Sequence, residues 1–492
     1  MIAAGCAGGA GSNARPTLAG EDTPTAKSQP IENGATSDVA RYPTTPPATG
    51  SAPAFTLPAP QTQKLANGLT VLYVARPELP VVHLTLVTRG GSAVDPPGRA
   101  GLAALVADMI DEGAGKYSAL GLASAVDLLG ASLGTDADWD AATVDVHVLA
   151  KNLPAAVGLM ADVVLHPTFP RKELSRVRKQ RLTDLARGRD EPRFIAHHAL
   201  ATLVYGKDHP YGRLPSTASL KKIKRRDLVA FHKGYYSPET STLVIAGDID
   251  AAALHPVIER AFAGWPRGTT PPVAIPPPPK LGATTIYVID KPGAAQSEIR
   301  VGRPGVARAT PDYFSLVVLN TILGGSFTSR LNSNLREEHG YAYGARSWFD
   351  MRRGAGPFVA SAAVITAKTA PALAEILSEL HRIRDHEVAA AELTRAKHLR
   401  TLGMPRTLET TSQVARKLAQ LSVYGLSADF LSSYVPSITA VTAADIQHVA
   451  NEVLHPDEAV VVIVGDAKKI EAGLEALHVG TVKVLAIRDV LR

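Results

Sequence analysis

The segment Leu220–Asp248, LKKIKRRDLVAFHKGYYSPETSTLVIAGD, recurs further along the chain as Ile438–Asp466, ITAVTAADIQHVANEVLHPDEAVVVIVGD, and this repeat gives the strongest indication of the fold. The two segments align without a gap at an offset of 218 residues. The identical positions pair Asp227 with Asp445, Pro238 with Pro456, Val244-Ile245 with Val462-Ile463, and Gly247-Asp248 with Gly465-Asp466. A gapless match of this length indicates that the chain consists of two homologous halves.

Both copies of the repeat predict the same local structure. An amphipathic helix begins near Asp227 in the first copy and near Asp445 in the second. A Ser-Pro or His-Pro step then breaks the helix, since the residue before proline disfavours helical geometry. The apolar run that follows, ended by Gly-Asp, is typical of a buried strand.

Proline density marks the junction between the halves. Trp265–Pro272 leads into four consecutive prolines, Pro276–Pro279, and such a sequence forms a stiff extended connector. The predicted organisation is a tether, a first domain, a linker, a second domain and a C-terminal tail, at 1–60, 61–265, 266–282, 283–477 and 478–492.

Strand and helix patterns mix within each half without a regular β-α-β alternation. We therefore predict an α+β fold in which each half is a mainly antiparallel sheet covered by helices. The strand patterns are Leu69–Val74, Val81–Val87, Ala142–Leu149, Thr284–Ile289, Glu298–Gly302 and Pro357–Ile365, and the helix patterns include Leu102–Ile110 and Leu153–Val164.

Composition excludes several classes of protein. The 492 residues are 45% apolar and 20% charged, an ordinary globular balance, and no apolar run is long enough for a transmembrane helix. The single cysteine excludes an intrachain disulfide framework and a cysteine-based zinc site. A net charge of +6 is small for this length, and the basic run Lys221–Arg226 lacks interleaved aromatic residues. We therefore expect a solvated loop there and no nucleic-acid partner.

The first sixty residues are rich in Ala, Gly, Ser, Thr and Pro and predict a disordered tether. Small residues lead into Cys6, as at the end of a bacterial lipoprotein signal, although the basic and apolar regions of a signal are missing. Cys6 is therefore a candidate for lipidation, provided that the true start lies upstream, and the alternative is a chance cysteine. Lipidation would place the protein in the bacterial cell envelope, in the periplasm or as an outer-membrane lipoprotein.

Several motifs, in order, resemble the insulinase-like (pitrilysin) family of zinc peptidases. In the first half they are Gln63–Leu69, Arg89–Ser92, Gly101–Ala103, His209–Arg213 and Phe231–Pro238. In the second half they are Gly324–Leu331 and Leu335–Tyr343. The resemblance covers roughly residues 61–475 and implies two halves that together form one half of a clam-like chamber.

Active members of this family carry an inverted zinc motif, H-x-x-E-H, on the helix after Gly-Leu-Ala. The matching positions here are Ala104, Ala107 and Asp108, so both histidines and the general-base glutamate are replaced. The position of the more distant glutamate ligand falls at Asp184. Methyl groups cannot bind a metal or move a proton, and two carboxylates without imidazole make a poor zinc site. We therefore predict that this chain binds no metal and no other cofactor.

The resemblance also implies a functional pair in the second half. In the family, an arginine and a tyrosine reach the scissile peptide, and the matching residues are Arg336 and Tyr343. Both side chains can donate hydrogen bonds to a peptide carbonyl and to the oxyanion that forms from it. In the alternative interpretation, Arg336 pairs with Glu337 or Glu338 and Tyr343 is a core residue. The nearby Gly324–Ser326 either shapes the chamber or caps a helix, with equal support.

A lost zinc motif beside an intact Arg/Tyr pair resembles one subunit of the split bacterial enzymes of this family. The implied function is that of the non-metal subunit of a heterodimeric zinc endopeptidase. Its partners are then a homologous subunit that carries the zinc motif and zinc, and a peptide substrate. The alternative is a catalytically inactive scaffold or peptide-binding protein, whereas activity of the chain on its own is not expected.

Overall fold

The computed structural model describes residue 50 and residues 59–491 except 269 and 272. The predicted tether, including Cys6, therefore lies almost wholly outside the described residues. Both halves lie within one compact unit of the chain. No helix in the described part is long and apolar enough to cross a membrane.

The first half contains eight strands and eight helices among its described residues. Its strands are β1 (Gln61–Lys64), β2 (Thr70–Ala75), β3 (Val81–Thr88), β4 (Gly113–Ala114), β5 (Tyr117–Ser118), β6 (Ser132–Ala137), β7 (Ala142–Leu149) and β8 (Ser241–Gly247). Its helices are α1 (Leu102–Ile110), α2 (Ala119–Leu128), α3 (Leu153–Leu165), α4 (Arg171–Gly188), α5 (Pro192–Tyr205), α6 (Thr217–Lys222), α7 (Arg225–Tyr235) and α8 (Ala251–Phe262).

The second half repeats much of this order. Its strands are β9 (Thr285–Asp290), β10 (Gln296–Pro304), β11 (Ala342–Phe349), β12 (Pro357–Ile365), β13 (Val460–Gly465) and β14 (Thr481–Ala486). Its helices are α9 (Tyr313–Leu323), α10 (Arg330–Asn332), α11 (Thr369–Asp385), α12 (Ala390–Leu402), α13 (Thr411–Val423), α14 (Asp429–Ala440), α15 (Ala443–Val453), α16 (Ala467–Glu475) and α17 (Ile487–Val490). A π-helical turn, Ser333–Glu338, continues α10.

Each half is built on one six-stranded sheet. The strand orders are β1-β2-β8-β3-β7-β6 and β11-β12-β10-β13-β9-β14. Most neighbours are antiparallel, and the parallel pairs are β2 with β8 and β9 with both β13 and β14. The α+β prediction of two halves with mainly antiparallel sheets covered by helices is therefore confirmed.

The sequence repeat forms equivalent elements in the two halves. It folds into α7 and β8 in the first copy and into α15 and β13 in the second. Asp227 and Asp445 each occupy the third helical position, where their carboxylates accept the backbone N–H of Lys224 and Thr442 at 2.8 Å. These capping bonds satisfy donors that a helix start leaves unpaired, which explains why the aspartate recurs.

Each half contributes one helix that packs on the sheet of the other half. One face of each sheet packs on helices of its own half, but α5 of the first half covers the other face of the second sheet. In return, α13 of the second half covers the other face of the first sheet. The 218-residue offset of the sequence repeat also brings α5 into register with α13, so the two helices are equivalent elements of the two halves. Because each sheet then buries both faces, β3, β8, β10 and β13 are almost wholly buried.

Polar contacts fix the exchanged helices. Arg416 of α13 donates from Nε to Asp145 of β7 at 3.3 Å, and His83 of β3 contacts the same carboxylate oxygen at 2.9 Å. On the other side, Arg300 of β10 donates to the backbone carbonyl of Arg193 in α5 at 3.1 Å. These bonds set the position of each helix on the sheet of the opposite half.

One predicted segment differs from the structure. Residues 478–492 were expected to be a tail, but β14 pairs in parallel with β9 and extends the second sheet. Leu491 is buried near α5 at the end of this segment. The prediction of a tail overlooked the alternating apolar residues of TVKVLA, which form an edge strand without a buried residue.

Candidate functional site

Helix α1 carries the degenerate motif and starts from a constrained loop. Gly101 precedes it with φ +93°, a left-handed conformation that favours glycine. The buried carboxylate of Asp95 accepts hydrogen bonds from the backbone N–H groups of Gly101 at 2.7 Å and Ala103 at 2.8 Å. These bonds replace the missing helical partners of the first turn and fix where α1 points.

The motif positions on α1 face α4. Ala104 and Asp108 lie one turn apart and are half-buried, whereas Ala107 is buried. Asp108 accepts two hydrogen bonds from Arg181 of α4, from Nε at 2.6 Å and from Nη2 at 2.7 Å. This bidentate contact raises the pKa of the Arg181 guanidinium above its ordinary value. Asp184, one turn further along α4, is exposed and accepts a hydrogen bond from Gln180 at 3.0 Å.

These side chains do not fit a zinc ion. Ala104 and Ala107 carry only methyl groups, which cannot donate electrons to a metal. Asp108 presents both carboxylate oxygens to Arg181, so a fixed positive charge lies where a cation would have to bind. Within the described residues, no group of three or more His, Cys, Asp or Glu side chains is arranged to hold a metal.

Arg336 lies in the π-helical turn and is directed outward by its neighbours. Leu335 is fully buried, and Asn334 donates to Glu375 at 2.9 Å and to Glu379 at 3.1 Å, both on α11. With these two residues held inward, the following Arg336 is exposed. Its guanidinium contacts Glu337 at 3.3 Å. The same group also lies 4.7 Å from the ring centre of Phe327.

Tyr343 lies at the start of β11, where the strand is irregular. The register with β12 shifts between Ala342 and Ala345, which leaves Tyr343 and Gly344 in a bulge. Tyr343 is 90% exposed. The alternative interpretation that Tyr343 is a core residue is therefore wrong. The other part of that interpretation is observed, because Arg336 forms an ion pair with Glu337.

The Gly324–Ser326 segment both ends a helix and packs against β11. Gly324 caps α9, and its carbonyl accepts the N–H of Ser347 at 3.1 Å. A Cβ atom on Gly324 would lie 2.3 Å from that same nitrogen. Glycine is therefore required by the close backbone approach. The helix-cap interpretation of this motif is confirmed, and the interpretation that the motif shapes a chamber stays a prediction.

The structure groups the candidate residues into two sets. Ala104, Ala107, Asp108 and Asp184 lie on α1 and α4 of the first half. Arg336 and Tyr343 are exposed residues of two segments of the second half that a backbone hydrogen bond joins, from the N–H of Tyr341 to the carbonyl of Leu335 at 2.8 Å.

Sequence reasoning missed Arg181 and Phe327. For Arg181 the signal was available, because it lies three residues before Asp184 and such residues share a helix face. Phe327 was visible as part of a motif, but its contact with Arg336 depends on a turn that brings the two segments together. Phe327 is 65% exposed and therefore presents an aromatic ring to solvent beside Arg336.

Comparison with known proteins agrees with this duplicated architecture. Residues 70–212 match the family model described as Insulinase (Peptidase family M16), and residues 222–400 match the model described as Peptidase M16 inactive domain. An uncharacterized zinc protease of Mycobacterium tuberculosis is 26% identical over 400 residues, which cover 80% of this chain and 91% of that protein. A similarly named protein of Streptomyces coelicolor is 23% identical over 399 residues, with coverage of 79% and 86%.

Solved structures share the fold. The crystal structure of a peptidase M16 inactive domain from Pseudomonas fluorescens has a TM-score of 0.78 and 26% identity, and the match covers 82% of this chain and 98% of that one. A protease from Helicobacter pylori has a TM-score of 0.78 at 20% identity, with coverage of 83% and 100%, which shows the fold alone.

Fold and motifs together define a peptidase-like protein of the duplicated, insulinase type. The chain belongs to the insulinase-like peptidase family M16.

Proposed function

We propose that this chain is the non-metal subunit of a heterodimeric zinc endopeptidase. The observation that carries the proposal is the contrast between its two halves. The Asp108–Arg181 ion pair occupies the zinc-motif positions, whereas Tyr343, at 90% exposure, and the exposed Arg336 keep their hydrogen-bond donors accessible from solvent. Both side chains can therefore donate to a ligand without any change in the core.

The chemistry of the pair suits a peptide bond. The guanidinium of Arg336 and the phenol of Tyr343 both donate hydrogen bonds, and a peptide carbonyl accepts two. Donors aimed at the carbonyl oxygen orient the peptide and stabilise negative charge as the carbonyl is attacked. In this proposal the homologous partner supplies the zinc ion and the general base.

The outer edge of the second sheet bears on which subunit would bind the substrate backbone. The N–H groups of Ala345 and Ser347, on the outer edge of β11, already donate to Asn332 at 3.2 Å and to Gly324 at 3.1 Å. A substrate strand therefore cannot pair with β11 at these positions. We propose that the partner's sheet edge holds the extended peptide by strand addition, while this chain contacts it through side chains.

Purification from native cells tests the proposal. The tagged chain is isolated, and mass spectrometry identifies any protein present in equal amount. A partner of similar size that carries H-x-x-E-H, together with zinc-dependent peptide hydrolysis by the pair, is the expected result. A homodimer, or a stoichiometric partner unrelated to peptidases, would refute it.

The second candidate function is a scaffold or peptide-binding protein without catalysis. The contact between Arg336 and Glu337 favours this candidate, because an ion pair between helical neighbours needs no substrate. Under this alternative, removal of Arg336 leaves every activity of the purified assembly unchanged.

A further inference from the structure

We propose that Arg308 and Lys417 form a binding site for a phosphate group. Arg308 lies in the loop between β10 and α9, and Lys417 lies on α13. The inference is independent of the proposed function, because none of the residues assigned to the peptide takes part in this site.

Arg308 is buried against aromatic rings. Only 7% of the residue is exposed, and its backbone N–H donates to the carbonyl of Arg352 at 2.7 Å. The guanidinium lies over two rings, with its central carbon 3.8 Å from the ring centre of Tyr313 and 4.7 Å from that of Phe430. Ring faces attract a cation, but they leave the N–H donors at the edge of the guanidinium free for an acceptor.

Arg308 differs from the other buried arginines in the described part of the chain. Arg300 forms an ion pair with Glu298 at 3.2 Å, and Arg352 forms one with Asp350. No carboxylate or carbonyl of the described residues accepts a hydrogen bond from the guanidinium of Arg308. Removing a charge from water is costly unless a partner compensates it, so Arg308 lacks the compensation that the other two arginines have.

Lys417 is a second cation without an acidic partner among the described residues. It is half-buried on α13, which packs against α14 in an apolar cluster that includes Leu418 and Leu431. Phe430, the residue before Leu431, is one of the rings against Arg308. Burial, together with the positive charge of Arg308, lowers the pKa of Lys417 below its ordinary value. The two cations therefore lie in the same region and repel each other.

Solvent reaches the donors of both cations. Neither the guanidinium nitrogens of Arg308 nor the ammonium group of Lys417 belongs to the side-chain atoms that are both sealed from solvent and unpaired among the described residues. A small ion can therefore reach both groups from outside. An anion bound between them would remove their repulsion and supply the missing hydrogen-bond acceptors.

The two charges favour phosphate over a carboxylate. A phosphate monoester carries a charge of about −1.5 to −2 at pH 7, which matches two cations, whereas a carboxylate carries one charge. The edge of a guanidinium can bind two phosphate oxygens in parallel, and an ammonium group can bind a third. Tyr434 offers a neutral donor, because burial raises the pKa of its phenol to about 12 and keeps it protonated.

Calorimetric titration of the purified full chain with inorganic phosphate tests the site, near neutral pH and at constant ionic strength in chloride. We expect saturable binding of one equivalent with a dissociation constant of about 1 mM or lower. Acetate should bind about tenfold more weakly or less tightly still, because it carries one charge. Titration with glycerol phosphate distinguishes the two sources that support the proposal. Binding of inorganic phosphate alone indicates a site for the free ion, whereas binding of both indicates one for phosphate carried by a small organic molecule.

Substitutions assign the binding to these two residues. K417Q should weaken phosphate binding about tenfold, because a charge-assisted hydrogen bond is lost. R308Q should abolish it, and thermal unfolding checks that this variant folds without the ring contacts of Arg308. K468Q removes an exposed lysine of α16 and is the matched control, which should bind phosphate like wild type.

Thermal unfolding provides a second measurement. Phosphate should raise the melting temperature of wild type and K468Q more than that of K417Q, since a ligand that binds only the folded state stabilises it. Phosphate also stabilises proteins through its exclusion from their surface, and that contribution should be equal in the three proteins.

Absence of saturable phosphate binding by wild type would overturn the site. Wild-type affinity in K417Q would overturn it as well, whether or not R308Q folds. Acetate binding as tight as phosphate binding would contradict the assignment of the ligand as a phosphate group.

Discussion

Arg181 of α4 donates two hydrogen bonds to the carboxylate of Asp108 of α1, from Nε at 2.6 Å and from Nη2 at 2.7 Å. We propose that Asp108 takes the position at which active relatives of this family have a zinc-binding histidine. The guanidinium of Arg181 would then supply the positive charge on this helix face.

Restoring the zinc ligands should fail unless Arg181 is also removed. We expect a variant with A104H, A107E, D108H and D184E to retain little zinc, because the charge of Arg181 repels a divalent cation at close range. Adding R181A should raise the zinc content towards one equivalent, as measured by elemental analysis after dialysis. Adding R187A instead, an exposed arginine of the same helix, is the control that should not. Full zinc retention with Arg181 present would contradict this interpretation.

Substitution of Gly324 by alanine should destabilise the second half. The added Cβ would lie 2.3 Å from the backbone nitrogen of Ser347, so the loop or β11 has to shift. We expect a loss of about 1–3 kcal/mol in the free energy of unfolding, the usual range for overpacking, measured by urea denaturation.

The control for this variant is G473A. Gly473 lies on the exposed side of α16, where an added Cβ meets only a side-chain methyl at 3.4 Å. Alanine there should increase stability by about 0.5–1 kcal/mol, because glycine is unfavourable inside helices. Equal stability changes in the two variants would show that the close approach at Gly324 is unimportant.

Acid should destabilise the protein through buried histidines. Burial lowers the pKa of His198 in α5 to about 4, whereas a histidine of the unfolded chain titrates near 6.5. The unfolded state therefore binds the proton first as the pH falls. The stability that neutral His198 contributes is present above pH ~6.5 and is lost towards pH ~4, by up to about 3 kcal/mol.

H198Q should reduce this dependence in unfolding experiments at several pH values. Part of the pH dependence of the free energy of unfolding should remain, because burial also lowers the pKa of His232 to about 4. H386Q, which removes an exposed histidine, should leave the slope unchanged. A slope that is the same in wild type and H198Q would show that His198 does not titrate in this range.

Tyr343→Phe should separate function from stability. The substitution removes one hydroxyl from a side chain that is 90% exposed, so the melting temperature should stay the same. Turnover by the assembled pair should fall by about tenfold or more, since a donor to the substrate carbonyl is lost. A stable Y343F protein with full turnover would remove Tyr343 from the proposed machinery.

Local sequence patterns predicted the elements well, but long-range relations escaped them. Ala142–Leu149 and Pro357–Ile365 were predicted as strands within their observed bounds, because buried strands carry continuous or alternating apolar residues. The exchange of α5 and α13 between halves was not predicted, since an apolar helix face does not say which sheet it covers. Arg181 was missed for a related reason, because two helices, α2 and α3, and four strands, β4 to β7, separate it in sequence from its partner Asp108.

The proposed function is tested by comparing wild type with R336A in the turnover of peptide by the chain assembled with its proposed zinc-bearing partner. We predict that kcat/KM falls about 100-fold, the effect of losing a donor worth about 3 kcal/mol, while the two subunits still co-purify in equal amounts. R395A, an exposed arginine outside the proposed surface, should keep wild-type turnover. An R336A assembly that is intact and turns over substrate at the wild-type rate would contradict the claim.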